Sequence, residues 1–135
     1  MVKISNGQVV TTVGRKIALH RLFDTAPVYS APNFFKVGTG TNTPVIGDTV
    51  LQTPILISGS PTKAVVSGYP LFDDANLNVT NRCLLLTTEC NGNNISEFGL
   101  VNSDGTPQLF SRAVFTAITK TLSVQIIIVE KDVIQ

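Results

Sequence analysis

Few side chains in this sequence have the types and spacings that catalysis requires. His20 is the only histidine, and no nucleophile-elbow or cysteine-protease motif accompanies it, so a catalytic triad lacks recognisable members. Asp73 and Asp74 are the only adjacent carboxylates, whereas glycoside hydrolysis needs two carboxyl groups about 5–9.5 Å apart across a cleft. Because neighbouring strand residues point to opposite faces, this pair is poorly arranged for that reaction. The sequence therefore predicts a protein that is not an enzyme and has no catalytic residues.

Two loops match ligand-binding motifs only in part. Gly38-Thr39-Gly40 begins like a dinucleotide-binding loop, but position 43, where a third glycine belongs, is threonine. Residues 74–78 alternate oxygen ligands like a calcium loop, but Val79 and Leu85 stand where that loop requires glycine and glutamate. We predict neither a cofactor nor a metal, and leave open at this point whether the 68–80 loop binds a ligand or calcium.

Charge is scarce and unevenly placed. Charged residues make up 14% of the chain, against about 25% in typical soluble domains. Residues 1–40 carry five basic groups and one acidic group, a net +4, whereas residues 41–135 carry five basic and eight acidic groups, a net −3. The basic half holds no run longer than Arg15-Lys16 and no interleaved aromatic residues, so we do not expect nucleic-acid binding. Arg15, Lys16 and Arg21 are instead predicted to contact an acidic protein surface.

The apolar residues predict subunit contacts rather than a membrane span. Mean hydropathy is +0.27, yet the longest apolar run, Ile126 to Val129, is far shorter than the 18 or so residues that a span needs. The first ten residues lack the apolar segment of a signal peptide, so we expect synthesis in a reducing compartment. Cys83 and Cys90 are predicted on one strand, more than about 20 Å apart and on opposite faces, and therefore not disulfide-bonded to each other.

The hydrophobic pattern predicts one helix followed by strands. Apolar spacing favours a helix over 11–23, and a proline-containing connector follows over 24–33, so residues 1–33 form a basic helical segment. We predict a single domain over 1–135, mainly β, folded as an antiparallel β-sandwich or partly closed barrel with one short N-terminal helix. The predicted strands are 34–37, 54–58, 63–67, 82–90, 95–102, 108–115 and 121–129.

A hairpin around Asp104-Gly105 is the strongest local signal. This dipeptide favours a two-residue type I′ turn, which would place Ser103 opposite Thr106. Continued along the ladder, the same register places Glu97 directly opposite Arg112, an oppositely charged pair that stabilises a sheet.

The final predicted strand is apolar on both faces. Ile127 and Val129 add apolar side chains to the face that would otherwise meet water. A covering layer must come from the 11–23 helix or from another copy, and we predict that Ile127 and Val129 belong to an interface.

Five structural motifs follow one another along the chain. They are Phe35-Lys36-Val37-Gly38-Thr39-Gly40, Asp48-Thr49-Val50-Leu51, Glu97-Phe98-Gly99-Leu100-Val101-Asn102, Leu109-Phe110-Ser111-Arg112-Ala113-Val114-Phe115 and Ile118-Thr119-Lys120. Their order resembles that of small β-rich structural proteins of tailed bacteriophages, which are tail-fibre, collar or decoration components, and the likeness covers nearly the whole chain apart from residues 60–82. Val101 stands where that pattern more often has phenylalanine.

The resemblance implies a non-enzymatic structural component of a virion, made in the host cytoplasm. It implies self-association, with a trimer as the expected form, and docking to other virion proteins. Its motifs are structural, so they do not distinguish capsid, neck, tail and fibre. The alternative is a receptor- or carbohydrate-binding module at a fibre tip, which an exposed pocket of Tyr69, Asp73 and Asp74 would favour.

Overall fold

The structure, a computed structural model, describes residues 2–4 and 8–133, with side chains from residue 8 onward. Within these residues, one helix and ten strands follow each other in sequence. They are β1 (Val2–Ile4), β2 (Val9–Val10), α1 (Thr12–Phe23), β3 (Phe34–Gly38), β4 (Pro54–Ile55), β5 (Lys63–Ala64), β6 (Leu71–Asp73), β7 (Asn78–Leu85), β8 (Asn94–Val101), β9 (Leu109–Thr119) and β10 (Ile126–Val133).

The strands form two sheets. The first has the order β1-β10-β7-β6, and the second has the order β2-β9-β8-β3-β4, with β5 also paired to β3. Every pairing is antiparallel except β1 with β10, which is parallel. Over the described residues neither sheet closes on itself. Of the two predicted architectures, the antiparallel β-sandwich therefore describes the fold and the partly closed barrel does not.

The N-terminal region contributes more than the predicted helix and connector. β1 joins the first sheet beside β10, and β2 joins the second sheet beside β9. The prediction for residues 1–33, a basic helical segment and connector, did not include these two strands. Short edge strands escape sequence patterns because two or three residues show no periodicity.

The core lies between the two sheets. The first sheet contributes Cys83, Leu85, Ile126 and Ile128, and the second contributes Phe35, Val37, Phe98, Leu100 and Ala113. Phe35 stacks on Phe98 with ring centroids 6.2 Å apart. Full burial of each large apolar side chain contributes about 1.5–3 kcal/mol, so this layer stabilises the sandwich.

The predicted helix is confirmed, and Thr11 caps it. The Thr11 hydroxyl accepts a hydrogen bond from the Gly14 amide at 2.9 Å and donates one to the Leu109 carbonyl at 2.6 Å. A Cβ on Gly14 would overlap the carbonyl oxygen of Phe110. This close approach requires glycine and fastens α1 chiefly to β9.

The last strand begins later than predicted. The sequence pattern placed it at 121–129, whereas β10 spans Ile126–Val133. Residues 121–124 form a turn closed by the Val124 amide on the Thr121 carbonyl at 3.1 Å. The buried Lys120 ammonium donates to the Thr121 carbonyl at 3.1 Å and helps to hold this turn.

Ile127 is not an interface residue. Its exposed fraction is 4% in the single chain, so the chain itself covers the face that was predicted to need a partner. Val129 is half-buried. The prediction of an interface at Ile127 is therefore wrong, because one strand's pattern does not reveal which segments pack over it.

β7 ends before Cys90. The strand was predicted over 82–90, but a turn begins after Leu85 and places Cys90 outside the sheet. The Glu89 carboxylate accepts a hydrogen bond from the Leu86 amide at 2.8 Å and holds this turn. Both cysteines are free thiols.

The hairpin between β8 and β9 has a longer loop than predicted. Residues 102–108 connect the strands, and neither Asp104 nor Gly105 has the positive φ of a type I′ turn. The Asn102 side chain spans the loop by donating to Asp104 at 2.7 Å and accepting from the Gln108 amide at 2.8 Å. The prediction of a two-residue turn at Asp104-Gly105 is therefore wrong. The Asn102 side chain, rather than a tight backbone turn, joins the two ends of the loop.

The ladder register shifts with the loop. Gly99 lies opposite Arg112, and Glu97 lies opposite Val114, so the predicted direct pairing of Glu97 with Arg112 is wrong by two residues. A shift of two keeps side chains on the same sheet face. Glu97 and Arg112 are therefore diagonal neighbours.

Candidate functional site

Glu97 and Arg112 form a buried ion pair on that shared face. Arg112 Nη2 lies 2.9 Å from Glu97 Oε2, and Arg112 Nε lies 3.2 Å from the same oxygen. Both side chains are almost fully buried. Buried charges persist only when they are paired and hydrogen-bonded, so the surroundings of this pair decide its role.

Three backbone amides complete the coordination of the Glu97 carboxylate. Oε1 accepts from the Gly40 amide at 3.1 Å and the Thr53 amide at 2.6 Å. Oε2 accepts from the Gln52 amide at 3.0 Å. Glu97 therefore fastens both ends of the 38–53 segment to β8.

The remaining donors of Arg112 reach the same segment. Nη1 donates to the Asp48 carboxylate at 3.0 Å, and Nη2 donates to the Asn42 side chain at 2.7 Å. Asp48 also accepts from the Val45 amide at 2.9 Å, which shapes the tip of the segment.

The glycines of the 38–53 segment serve this ion pair. A Cβ on Gly40 would lie 2.6 Å from Glu97 Oε1, too close for any real side chain. The glycines of Gly38-Thr39-Gly40 therefore leave room for the Glu97 carboxylate, which belongs to this chain. Hydrogen bonds engage every oxygen and nitrogen atom of the pair, so this cluster has the features of a structural support.

The exposed face of α1 is the first candidate contact surface. We define the α1 stripe as Thr12, Arg15, Lys16, Leu19, Leu22 and Phe23, all exposed. At 100° per residue these positions lie on the side opposite the buried Gly14 and Ile17. Leu19, Leu22 and Phe23 are 59%, 67% and 81% exposed, where a surface helix normally presents polar residues.

The basic residues predicted to form an interface all lie on α1. Arg15 and Lys16 belong to the α1 stripe, beside Leu19. Arg21 is exposed as well, but the helical period places it on the side of Ile17. The structure thus joins two of the three basic residues to an apolar patch.

A groove at the end of the first sheet is the second candidate surface. We define the β6 groove by its lining residues from β6, the following loop, β7 and β10, and its cavity volume is about 410 Å³. Phe72, 75% exposed, and Leu77, 61% exposed, supply its most open apolar surface. The lining residues are Phe72, Asp73, Asp74, Leu77, Asn78, Val79, Asp132 and Val133.

The carboxylates of the β6 groove differ in their engagement. Asp73 accepts hydrogen bonds from the Asn76 amide at 3.1 Å and the Asn76 side chain at 2.8 Å, and the side-chain bond is the main reason that the pKa of Asp73 is lowered. Asp74 is exposed. Of the three residues whose exposed pocket would favour receptor or carbohydrate binding, Asp73 and Asp74 line the groove and Tyr69 does not.

β10 carries two carboxyl groups: Glu130 is buried, and Asp132, one of the lining residues of the groove, is half-buried. Glu130 accepts from the Ser111 hydroxyl at 2.6 Å and from the Asn81 side chain at 3.0 Å. Burial, together with the nearby Asp132 charge, raises the pKa of Glu130 to about 8. Burial also raises the pKa of Asp132, whose Oδ1 accepts from Gln8 at 2.8 Å.

Sequence reasoning missed several of these residues. Phe72 and Leu77 were assigned to an irregular stretch, although a Leu-Phe pair beside two aspartates was a visible sign of apolar surface. Glu130 lies just beyond the strand predicted over 121–129. Nothing in its local sequence indicates burial, which depends on where β10 begins.

Two findings limit the kinds of site. Over residues 2–4 and 8–133, no group of three or more His, Cys, Asp or Glu side chains is arranged to hold a metal ion. In the same residues, no helix is both long and apolar enough to cross a membrane.

Comparisons of this chain with protein-family models, with curated proteins and with solved structures gave no match. The exposed apolar surfaces and the saturated ion pair are therefore the features from which function must be argued.

Proposed function

We propose that this chain is a non-enzymatic structural component of a tailed-bacteriophage virion. It acts by associating with further copies of itself, with a trimer as the expected form, and by docking to other virion proteins. The resemblance of its motif order to small phage structural proteins supplies the biological setting. The surface of the folded chain supplies the physical argument.

The observation that carries the proposal is the amount of large apolar surface left uncovered. Fourteen large apolar side chains are exposed within the described residues. Single exposed apolar residues are ordinary, but contiguous patches on a soluble chain mark interaction sites. Here Leu19, Leu22 and Phe23 share one helix face, and Phe72 and Leu77 share one groove.

The arrangement of charge supports the same role. Glu97 and Arg112 form a buried ion pair between the second sheet and the 38–53 segment, so these conspicuous charged residues support the fold. Such a rigid, sparsely charged body, with apolar patches on its surface, suits repeated protein contacts in an assembly.

Sedimentation velocity between about 1 and 100 µM tests self-association. We expect the weight-average sedimentation coefficient to rise with concentration toward a defined oligomer. A single monomer species across the whole range would contradict the proposal.

Purified particles test the virion assignment. We expect mass spectrometry of gradient-purified particles from the producing phage to detect this chain in stoichiometric amounts, and immunogold labelling to place it at one position. A chain found only in the unassembled fraction of the lysate would contradict the assignment.

The β6 groove favours a second candidate function, binding of a receptor or carbohydrate at a fibre tip. Phe72 offers an exposed aromatic face, and Asp74 offers a carboxylate beside it. Titration with a panel of bacterial surface glycans, followed by NMR of amides 71–79, tests this alternative. Saturable shifts confined to these residues would support it, and unchanged spectra would argue against it.

A further inference from the structure

We propose that the α1 stripe of one copy lies in the β6 groove of the next copy, so that copies join head to tail. This inference rests on the proposed self-association and specifies the surfaces that carry it. It assigns a second copy of this chain as the occupant of the groove.

The α1 stripe has the shape and chemistry of an inserted element. Leu19, Leu22 and Phe23 project from the exposed side of a helix about 18 Å long, and each is more than half exposed. One turn or two earlier, Arg15 and Lys16 extend from the same side. An apolar ridge with cations at one end is therefore presented to solvent.

The β6 groove has the complementary chemistry. Its apolar lining comes from Phe72, Leu77, Val79 and Val133, and its cavity volume of about 410 Å³ lies within the usual range of binding sites. Its carboxylates are Asp73, Asp74 and Asp132. Lys131 lies close enough to Asp73 to lower the pKa of that carboxyl. Among the described residues, the surroundings of the groove therefore carry three carboxylates and one ammonium group.

Charge complementarity identifies the occupant. The net charge of residues 1–40 is +4 and that of residues 41–135 is −3. The α1 stripe belongs to the first range and carries basic residues, whereas the β6 groove belongs to the second range and carries acidic residues. Complementary potentials steer association and disfavour like-charged partners. A parallel contact between two α1 stripes would bring Arg15 and Lys16 of both copies together, and an antiparallel contact would leave the carboxylates of the β6 groove without these cations.

The α1 stripe and the β6 groove are two different patches of the chain. α1 packs on β9 of the second sheet, whereas the β6 groove belongs to the first sheet, and the two share no residue. We therefore assign one stripe-to-groove contact to each pair of copies. Such a contact is heterologous and produces a closed ring when the rotation between copies closes, or a filament when it does not. A closed ring of three copies would correspond to the expected trimer.

Two variants disable one surface each. Leu19→Glu places a carboxylate on the α1 stripe, facing the acidic groove. Phe72→Lys removes the groove's exposed aromatic anchor and places an ammonium group where the cationic stripe would arrive. Both native side chains are exposed, so we expect unchanged far-UV circular dichroism and thermal unfolding. Leu122→Glu and Leu122→Lys are matched controls, since Leu122 is 71% exposed and lies outside both surfaces.

The mixture of the two variants is the decisive measurement. Each variant alone is expected to sediment as a monomer, with its dissociation constant raised at least tenfold, while both controls associate like the native chain. Mixed in equal amounts, the variants still offer one intact stripe and one intact groove, so we expect a heterodimer and nothing larger. Should either variant unfold, Lys16→Glu and Asp74→Lys replace the two.

The outcomes separate this contact from the proposed function. A native chain that stays monomeric overturns both. A native chain that associates while both variants associate equally well overturns the head-to-tail contact and leaves self-association in place. If only Leu19→Glu is monomeric, or if the mixture forms no heterodimer, α1 binds some other surface and the contact is likewise overturned.

Discussion

Replacing Glu97 with glutamine should destabilise the fold strongly, although the two side chains have nearly the same shape. Oε1 of Glu97 accepts from two backbone amides, and Oε2 accepts from a third amide and from Arg112. A glutamine amide turns one of these acceptors into a donor. Whichever way it is oriented, at least two N–H donors then face an N–H₂ group.

The magnitude follows from burial. Each buried donor left without an acceptor costs about 1–3 kcal/mol, and removing one partner of a buried ion pair costs about 3–5 kcal/mol. Arg112 keeps Asp48 and Asn42 as partners, so we expect a total near the lower value, about 3–4 kcal/mol. Against a domain stability of about 5–15 kcal/mol, this is a large loss, and it lowers Tm by about 12–16 °C at about 4 °C per kcal/mol.

Urea unfolding followed by far-UV circular dichroism measures this loss, because the chain contains no tryptophan. Asp74→Asn is the matched control, an exposed carboxylate whose change should stay within about 0.5 kcal/mol. A double-mutant cycle with Arg112→Met should give a coupling of about 1–3 kcal/mol. A loss below about 1 kcal/mol for Glu97→Gln, with an unchanged m-value, would refute the reasoning.

Three further predictions concern packing, pH and thiol reactivity. Gly40→Ala should lower the free energy of unfolding by about 1–3 kcal/mol. Gly47→Ala should leave it unchanged, because a Cβ at Gly47 would meet nothing within 4 Å. Equal Tm values for the two variants would contradict the packing argument. The pKa of Glu130 is raised to about 8 from its ordinary value of 4.5, so the folded state favours the protonated carboxyl. The free energy of unfolding should therefore fall as pH rises from about 4.5 to about 8. Urea midpoints that fall equally in the Glu130→Gln variant would contradict this prediction. Burial raises the pKa of the Cys83 thiol well above its usual range, so native protein should take up one iodoacetamide at Cys90 by mass spectrometry, and labelling of Cys83 in the folded chain would contradict it.

The helix shows what local sequence can determine. Apolar spacing predicted α1 within one residue of its ends, because helical hydrogen bonds join residues close in sequence. The strands 34–37, 95–102 and 108–115 were located by their β-prone residues, with ends that differ by at most four residues.

The hairpin marks the limit of local reasoning. The sequence alone placed Glu97 and Arg112 on neighbouring antiparallel strands and on one face, since strand parity survives a shift of two residues. It did not reveal the 102–108 loop, in which Asp104 accepts a hydrogen bond from the Ser30 amide 74 residues away.

The last strand shows what only the tertiary structure decided. The pattern of four apolar residues indicated burial on both faces, and Ile127 is buried, but the sequence could not say that the chain covers it by itself. The burial of Glu130, the closure of the 38–53 segment over Glu97, and the β6 groove likewise depend on contacts between residues far apart in sequence. Periodicity reports which side chains must leave water, whereas long-range packing decides what covers them, and that choice leaves the α1 stripe and the β6 groove exposed.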